Sequence, residues 1–155
     1  MKIEDILTQN CIKLPLSGKS KEAIIKELVD AMAVAGLADN PKELLDSALE
    51  REGLMSTGIG KGVAIPHGRA RGVKRMAAAY GIAKEPIDFG SLDGLPVQIF
   101  FFIATPNNIV ADHVRALALV SRILNREGIR EQLLRAPDAA VTMAILSQVE
   151  RLEAK

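Results

Sequence analysis

Aromatic residues and cysteine are scarce in this sequence. Aromatic residues make up only 3 % of the 155 residues, and tryptophan is absent. A core must therefore be built mainly from leucine, isoleucine, valine and alanine, and the 48 % of apolar residues are enough to build one. Cys11 is the single cysteine, so an intrachain disulfide is impossible and a reducing compartment is favoured.

A strong charge of one sign and long apolar runs are also missing. The chain has 20 basic and 19 acidic residues, so it lacks the basic field that follows a phosphate backbone, and we expect no nucleic-acid partner. The longest apolar run, residues 99–104, is far shorter than the about 20 residues that span a bilayer. No secretory signal opens the chain. We therefore predict a cytoplasmic protein without membrane insertion.

Several common catalytic motifs are incomplete. Residues 58–63 look like a dinucleotide-binding fingerprint, but Val63 stands where the third glycine belongs. A nucleotide P-loop is excluded because Lys61 is followed by Gly62 rather than by serine or threonine. One cysteine and two histidines show no zinc-binding spacing, and no Gly-x-Ser-x-Gly elbow is present. These absences argue against an NTPase, a dehydrogenase and an ordinary hydrolase, and we expect neither a metal nor a cofactor.

Capping residues mark three helices. Ser20 offers an N-cap oxygen before a run with helical apolar spacing, and Gly36 fits its end. Asn40, followed by a proline, caps a second helix that we expect to end at Gly53. Asp138 caps the last helix.

Apolar patterns predict the remaining elements. The run over residues 97–104 is apolar nearly throughout, as expected of a strand covered on both faces. Together with the helices, about five strands indicate an α/β layered fold, and the length suits a single domain over residues 1–155. The other predicted strands cover residues 11–16, 63–65, 76–83 and 87–89, and the other helices cover residues 110–125 and 129–134.

A glycine-rich segment, residues 56–72, contains a histidine in a constrained turn. Pro66 favours an extended Ile65, and we expect Gly68 to supply a φ that other residues resist. His67 is thereby presented on a bare, rigid turn. Its imidazole, with an ordinary pKa of about 6.5, has a neutral fraction with a lone pair for nucleophilic attack, and the other ring nitrogen can donate to a backbone carbonyl. The alternative is a surface histidine without a role.

The second histidine, His113, lies on an apolar stripe near the start of a predicted helix. The stripe includes Val110, Leu117, Val120 and Leu124, so the imidazole is expected to face inward. A core histidine with a satisfied hydrogen bond is the common case for such a position. The functional alternative is a second imidazole that lines the His67 site and donates to a phosphoryl oxygen.

Further candidates surround the glycine-rich segment. Arg51 lies at the edge of a buried helical face, where a guanidinium can bind phosphate; the alternative is a solvated charge at a helix C-terminus. Ser56 and Thr57 can donate hydroxyls to phosphate or to the local turn. Backbone N–H groups of the segment, including Gly68, are further candidate phosphate ligands.

Residues 50–68, which read EREGLMSTGIGKGVAIPHG, resemble the signature of IIA domains of the fructose/mannitol type of the bacterial phosphotransferase system. That type includes the nitrogen-regulatory IIA proteins. The resemblance continues in residues 86–89, 93–97 and 112–117 and covers essentially the whole chain in order. One departure is Lys61, which replaces an expected asparagine between the glycines.

This resemblance implies a mixed five-stranded sheet flanked by α-helices. It implies that His67 is phosphorylated through Nε2, that Arg51 lies at the active site and that His113 faces the phosphohistidine. The implied donor is HPr or its nitrogen-branch relative. No sugar pocket is expected, because the protein would be an acceptor and donor of phosphate rather than a complete sugar kinase.

The resemblance favours the nitrogen-regulatory branch, since the chain carries no attached IIB, IIC or HPr segment and contains Pro-Ile-Asp-Phe at residues 86–89. The expected function is then a phosphocarrier, that is, a phosphotransferase component with a regulated kinase or transporter as a further partner. Two alternatives stay open: a sugar-specific IIA protein, of the EC 2.7.1 type, that delivers phosphate to a cysteine of a separate IIB protein, and a regulatory binding module that no longer transfers phosphate.

Overall fold

The computed structural model describes residues 1–153, which build helices around one mixed sheet of six strands. A short 3-10 helix covers Gln9–Cys11. The helices are α1 (Ile3–Ile6), α2 (Lys21–Val34), α3 (Pro41–Leu54), α4 (Ala111–Leu124), α5 (Glu127–Arg135) and α6 (Ala139–Glu153), and the strands are β1 (Ile12–Leu16), β2 (Gly58–Gly60), β3 (Val63–Ala64), β4 (His67–Arg69), β5 (Ala77–Ile87) and β6 (Val97–Thr105). The α/β fold class predicted from the sequence is confirmed.

Strand β6 is the centre of the sheet. The strand order is β1-β5-β6-β3-β2, and β4 also pairs with β6. Strand β5 runs antiparallel to β6, whereas β3 and β4 run parallel to it. Nearly every side chain of β6 is buried, including three consecutive phenylalanines, Phe100, Phe101 and Phe102. This confirms the expectation of a strand covered on both faces, because only such a position buries consecutive side chains.

The sixth strand arises because one strand is interrupted. Strand β3 pairs with Ile99 and Phe100 of β6, and β4 pairs with residues 103–105 farther along the same edge. Pro66 lies in the gap, and proline has no N–H to donate to a strand ladder. Counted as one broken strand, β3 and β4 give the five strands that the resemblance implies.

The predicted caps hold three helices in place. The Ser20 hydroxyl accepts from the backbone N–H of residue 23 at 3.2 Å, and Asn40 Oδ1 accepts from that of residue 43 at 3.3 Å. Asp138 Oδ1 accepts from the N–H of residue 141 at 2.9 Å. Gly36 follows the end of α2 with a φ of 77°, a left-handed conformation that suits glycine.

Several boundaries differ from the sequence-based expectation. Helix α3 continues through Leu54, one residue beyond Gly53. Residues 88–89 are not in a strand, because β5 extends as a single strand to Ile87. The short helix α1 is not marked by apolar periodicity, since four residues are too few to show it.

Lys61 lies in the tight turn between β2 and β3. Its φ is 59° and that of Gly62 is 80°, as in the two-residue type I′ turn of a hairpin. Its N–H donates to Asp93 Oδ2 at 2.7 Å, and its ammonium donates to Asn125 Oδ1 at 3.0 Å. The side chain that departs from the family pattern therefore points to the end of α4.

No helix within residues 1–153 combines the length and the apolar character needed to cross a bilayer.

Candidate functional site

A cavity of about 390 Å³ brings together most of the predicted site residues. Its walls come from α3, β4 and the first turn of α4. The lining residues are Ser47, Glu50, Arg51, Leu54, His67, Gly68, Arg69 and His113. Two guanidinium groups and two imidazoles thus face one carboxylate, so the cavity suits an anion.

His67 is held with a defined tautomer. It is the first residue of β4, and its Nδ1 lies 3.0 Å from the carbonyl oxygen of Ile65. A carbonyl can only accept, so Nδ1 carries the proton and Nε2 keeps a lone pair. The side chain is half-buried and lines the cavity. This arrangement provides the nucleophilic nitrogen that the sequence argument requires.

His113 faces the same cavity from α4. Its side chain is buried, and its Nδ1 lies 2.7 Å from the hydroxyl of Thr105 at the end of β6. The centroids of the His67 and His113 rings are 4.9 Å apart, and the ring planes meet at 62°. His113 is therefore both a buried histidine with a satisfied hydrogen bond and a group that lines the His67 site.

Gly68 allows α3 to approach β4 closely. A Cβ atom at this position would lie 3.0 Å from the backbone oxygen of Leu44 and 3.0 Å from the backbone nitrogen of Ala48. Gly68 is not among the glycines with positive φ, so the expectation of an unusual φ is wrong; the position requires a small residue because two backbones meet there. The contact places Arg51, at the end of α3, beside His67.

Arg51 is fixed at the end of its helix. Its Nη1 donates to the carbonyl oxygen of Met55 at 2.8 Å, and the guanidinium lines the cavity. The neighbouring Glu52 is buried, and its carboxylate accepts from the Thr57 N–H at 3.0 Å and from Lys21 Nζ at 3.0 Å. These contacts hold the chain that follows α3, and with it the carbonyl that orients Arg51.

The two hydroxyls expected to bind phosphate are not among the lining groups. The Thr57 hydroxyl donates to Glu52 at 2.5 Å. The Ser56 hydroxyl donates to the carbonyl oxygen of Phe89 at 2.6 Å and accepts from the Gly58 N–H at 3.0 Å. Both hydroxyls therefore stabilise the glycine-rich segment, which is the alternative to phosphate binding.

Arg69 is a site residue that the sequence argument missed. It lies two residues after His67 on β4, so both side chains are on the same face of the strand. Its backbone N–H donates to the hydroxyl of Ser47 at 2.9 Å, which joins β4 to α3. Within residues 1–153 its guanidinium makes no hydrogen bond or ion pair. Strand alternation is the signal that finds Arg69, but the sequence pattern predicts a turn at His67.

The electrostatics of the cavity favour neutral imidazoles. Burial is the main cause that lowers the pKa of His67 below its usual value, and the cationic Arg51 and Arg69 lower it further. Burial also lowers the pKa of His113, to about 4, and the nearby positive charges act in the same direction. Both rings are therefore neutral at physiological pH, and an incoming dianion meets the two guanidinium charges.

The chain belongs to the EIIA type 2 family of the phosphoenolpyruvate-dependent sugar phosphotransferase system. The model of that family matches residues 5–149. This assignment confirms the resemblance stated from residues 50–68.

Relatives from both functional branches are similar over nearly the whole chain. The fructose-specific EIIABC component of Bacillus subtilis (strain 168) is 38 % identical over 97 % of the chain, which spans only 24 % of that larger protein. The fructose-specific EIIA component of Haloferax volcanii is 35 % identical over 95 % of this chain and 96 % of its own length. A nitrogen regulatory protein of Bradyrhizobium diazoefficiens is 33 % identical over 95 % of this chain and 95 % of its own length.

Solved structures share the fold. The nitrogen regulatory protein IIA-Ntr from Neisseria meningitidis superposes with a TM-score of 0.86 at 33 % identity and covers 93 % of this chain and 98 % of its own. Escherichia coli enzyme IIA for mannitol, in complex with phosphorylated enzyme IIB, has a TM-score of 0.79 at 21 % identity. The match covers 92 % of this chain and 99 % of that protein's chain. At that identity the likeness supports the fold alone.

Proposed function

We propose that this protein is a phosphocarrier that accepts a phosphoryl group on Nε2 of His67 and uses it for regulation or onward transfer. The observation that carries the proposal is the hydrogen bond from Nδ1 to the Ile65 carbonyl at 3.0 Å, because it leaves the Nε2 lone pair for the anion-binding cavity. Membership of the EIIA family supports the same chemistry.

The transfer step requires no reagent other than the phosphorylated donor. The Nε2 lone pair forms a P–N bond to phosphorus while the P–N bond to the donor histidine breaks, and the donor imidazole takes that electron pair. The proton on Nδ1 of His67 stays in its hydrogen bond with Ile65, so the carbonyl stabilises the positive charge that the ring acquires. In onward donation the P–N bond to Nε2 breaks, the ring takes back that electron pair, and the recipient's nucleophile forms the new bond to phosphorus.

The protein's contribution is positioning and charge stabilisation, since phosphoryl transfer has a loose transition state. Arg51 and Arg69 offer guanidinium donors to the equatorial oxygens, and His113 offers a neutral N–H. Ser56 and Thr57 have no part in this proposal, because their hydroxyls are used elsewhere.

The proposed phosphoryl donor is HPr or its nitrogen-branch relative, which docks on an apolar rim around the cavity. Leu54 lines the cavity and is 80 % exposed. Val110 directly precedes α4 and Val114 is in its first turn; both are exposed, one helical turn apart and next to His113. Exposed apolar side chains beside a polar centre are typical of a protein-protein interface.

The reducing environment favoured by the buried Cys11 agrees with a site of action in the cytoplasm.

We favour regulation as the purpose of the phosphate, because the full-length similarity to IIA-Ntr combines 33 % identity with a TM-score of 0.86. The phosphorylation state would then decide which kinase or transporter the protein contacts. The second candidate is delivery to a IIB cysteine as a sugar-specific component of the EC 2.7.1 type. It is supported by the fructose-specific relatives at 38 % and 35 % identity.

A phosphorylation assay tests the carrier function. The chain is mixed with phosphoenolpyruvate, enzyme I and each cognate phosphocarrier, and its intact mass is followed. We expect an acid-labile gain of a single phosphoryl group that is absent in His67→Ala. A folded protein that gains no phosphate from any cognate carrier would contradict the proposal. Addition of cognate IIB proteins then separates the candidates, since only a sugar-specific protein passes its phosphate to one of them.

The docking surface has a matched control on the far side of the sheet. Leu54→Lys should weaken the apparent affinity for the phosphocarrier about tenfold, because a buried Leu contributes about 1.5–3 kcal/mol. Val34 is 90 % exposed and lies beside β1, which β5 and β6 separate from β4. Val34→Lys should leave the affinity unchanged, and equal effects of the two variants would place the docking surface elsewhere.

A further inference from the structure

Thr105 holds the second imidazole of the site from inside the core. It is the last residue of β6 and is fully buried, and its hydroxyl lies 2.7 Å from Nδ1 of His113. Among the described residues, this is the only hydrogen bond of that hydroxyl. Strand β4 pairs beside it, with Arg69 in register with Thr105, so the position is fixed by the sheet that also carries His67.

A hydroxyl partner permits either tautomer of the neutral histidine, whereas a carbonyl partner permits only one. A hydroxyl has one donor and two acceptor sites, so Thr105 can donate to an unprotonated Nδ1 or accept from a protonated one. When it donates, the proton of the neutral His113 ring is on Nε2. When it accepts, Nε2 has a lone pair. Because Nδ1 is engaged with a buried residue, Nε2 is the ring nitrogen left for the cavity.

These two tautomers interact with a phosphoryl group in opposite ways. An N–H at Nε2 donates to a phosphoryl oxygen, whereas a lone pair there repels the dianion. We propose that Thr105 is a positioning residue that donates its hydroxyl proton to Nδ1 of His113 and thereby directs Nε2–H at the phosphoryl group on His67. This inference rests on the proposed carrier function and adds the group that makes His113 a donor.

The same hydroxyl allows His113 to change its tautomer between states. The change requires one proton to leave Nε2 for solvent and another to reach Nδ1 from solvent; the Thr105 hydroxyl then turns about its C–O bond and accepts instead of donating. The site can thus present an N–H to the phosphoryl group and adapt when the group leaves. His67 has no such freedom, because the Ile65 carbonyl accepts in both states.

The tautomers can be measured directly, since the chain contains only two histidines. The full chain is labelled with ¹⁵N-histidine, phosphorylated by phosphoenolpyruvate, enzyme I and the phosphocarrier, and observed by long-range ¹H–¹⁵N NMR. In the phosphorylated parent we expect the proton of His113 on Nε2. A proton on Nδ1 would overturn the role of Thr105 whatever any variant does. An absence of phosphate on His67 would instead contradict the carrier function itself.

Two substitutions test the hydroxyl with its volume controlled. Thr105→Val keeps the branched shape but has no hydroxyl; we expect mixed tautomers of His113 and transfer slowed about tenfold. Thr105→Ser keeps the hydroxyl and should restore the Nε2–H tautomer and a transfer rate within about twofold of the parent. A valine variant with the parental tautomer and rate, or a serine variant as slow as valine, would overturn the proposal.

Discussion

The strand side and the helix side of the cavity each hold a histidine, but they hold it with different chemistry. His67 on β4 is fixed by a backbone carbonyl two residues earlier. His113 on α4 is fixed by a buried side-chain hydroxyl from β6. The first partner leaves one tautomer, and the second permits both. The proposed nucleophile therefore keeps its proton on Nδ1, whereas the proton of its neighbour can lie on either ring nitrogen.

The difference also follows from the local backbone. The carbonyl of Ile65 is free to accept from a side chain because the strand is interrupted at Pro66. His113 is in a regular helix, whose carbonyls are used within the helix, so its Nδ1 needs a partner from another element. A break in a strand thus positions the proposed phosphoryl acceptor, and regular packing positions the histidine proposed to assist it.

The largest expected effect separates the two histidines. His67→Ala should abolish phosphoryl acceptance, because it removes the attacking nitrogen. His113→Ala should slow transfer about 100-fold without abolishing it, because it removes one preorganised donor. Intact-mass measurements at short and long times distinguish the two outcomes, and circular dichroism checks that both variants fold.

Normal labelling of His67→Ala would end the assignment of the carrier to His67. Parental rates in His113→Ala would remove His113 from the mechanism and leave it as a core residue.

The next effect concerns the cations on the two sides. Arg69→Gln on β4 and Arg51→Gln on α3 should each slow transfer by about 10- to 100-fold, since each removes a charged donor to the phosphoryl oxygens. Rapid-quench measurement of a single transfer gives the rates. Arg71→Gln is the matched control: this arginine is two residues farther on, 84 % exposed in its side chain and outside the cavity. A parental rate for Arg69→Gln would show that the strand side supplies only the nucleophile.

Local rules were sufficient for the helices that carry the site. The oxygens of Ser20 and Asn40 cap α2 and α3 as expected, because capping depends on residues within one turn. Arg51 and His113 reach the cavity because helical spacing already placed them on or beside buried faces. Roles that depend on period and capping can be read from the sequence.

Contacts between distant segments could not be read in this way. Arg69 was missed because β4 exists only through its pairing with β6. Thr105 was missed because nothing local links it to a histidine eight residues later. The reason for a glycine at position 68 is the approach of α3, a long-range contact, rather than the φ that the local pattern suggested.

A third effect follows from the burial of His113. Its pKa is lowered to about 4 in the fold, whereas an unfolded histidine titrates at about 6.5. The fold therefore favours the neutral ring, and this contribution is fully present above about pH 6.5 and is lost as the pH falls toward 4. With allowance for residual solvent screening, we expect a loss of about 2 kcal/mol over this range.

Urea unfolding at pH 7 and pH 4.5 measures this loss in the parent and in His113→Gln. The variant should lose less stability on acidification, because glutamine does not titrate. An identical pH dependence in both proteins would show that His113 is protonated as easily in the fold as in the unfolded chain.

The smallest effect is a shift in the titration of His67. Arg69 contributes to the low pKa of this ring, so Arg69→Gln should move the pKa upward, and the acid limb of phosphoryl acceptance should move to higher pH with it. An NMR titration of the two histidines measures both values, with Arg71→Gln as the control that leaves them in place. Burial is the larger cause, so the pKa of His67 should stay below its usual value even in the variant. If Arg69→Gln leaves the pKa of His67 unchanged, solvent screens this guanidinium from the His67 ring. The histidines on the two sides of the cavity would then differ only in how their tautomers are held.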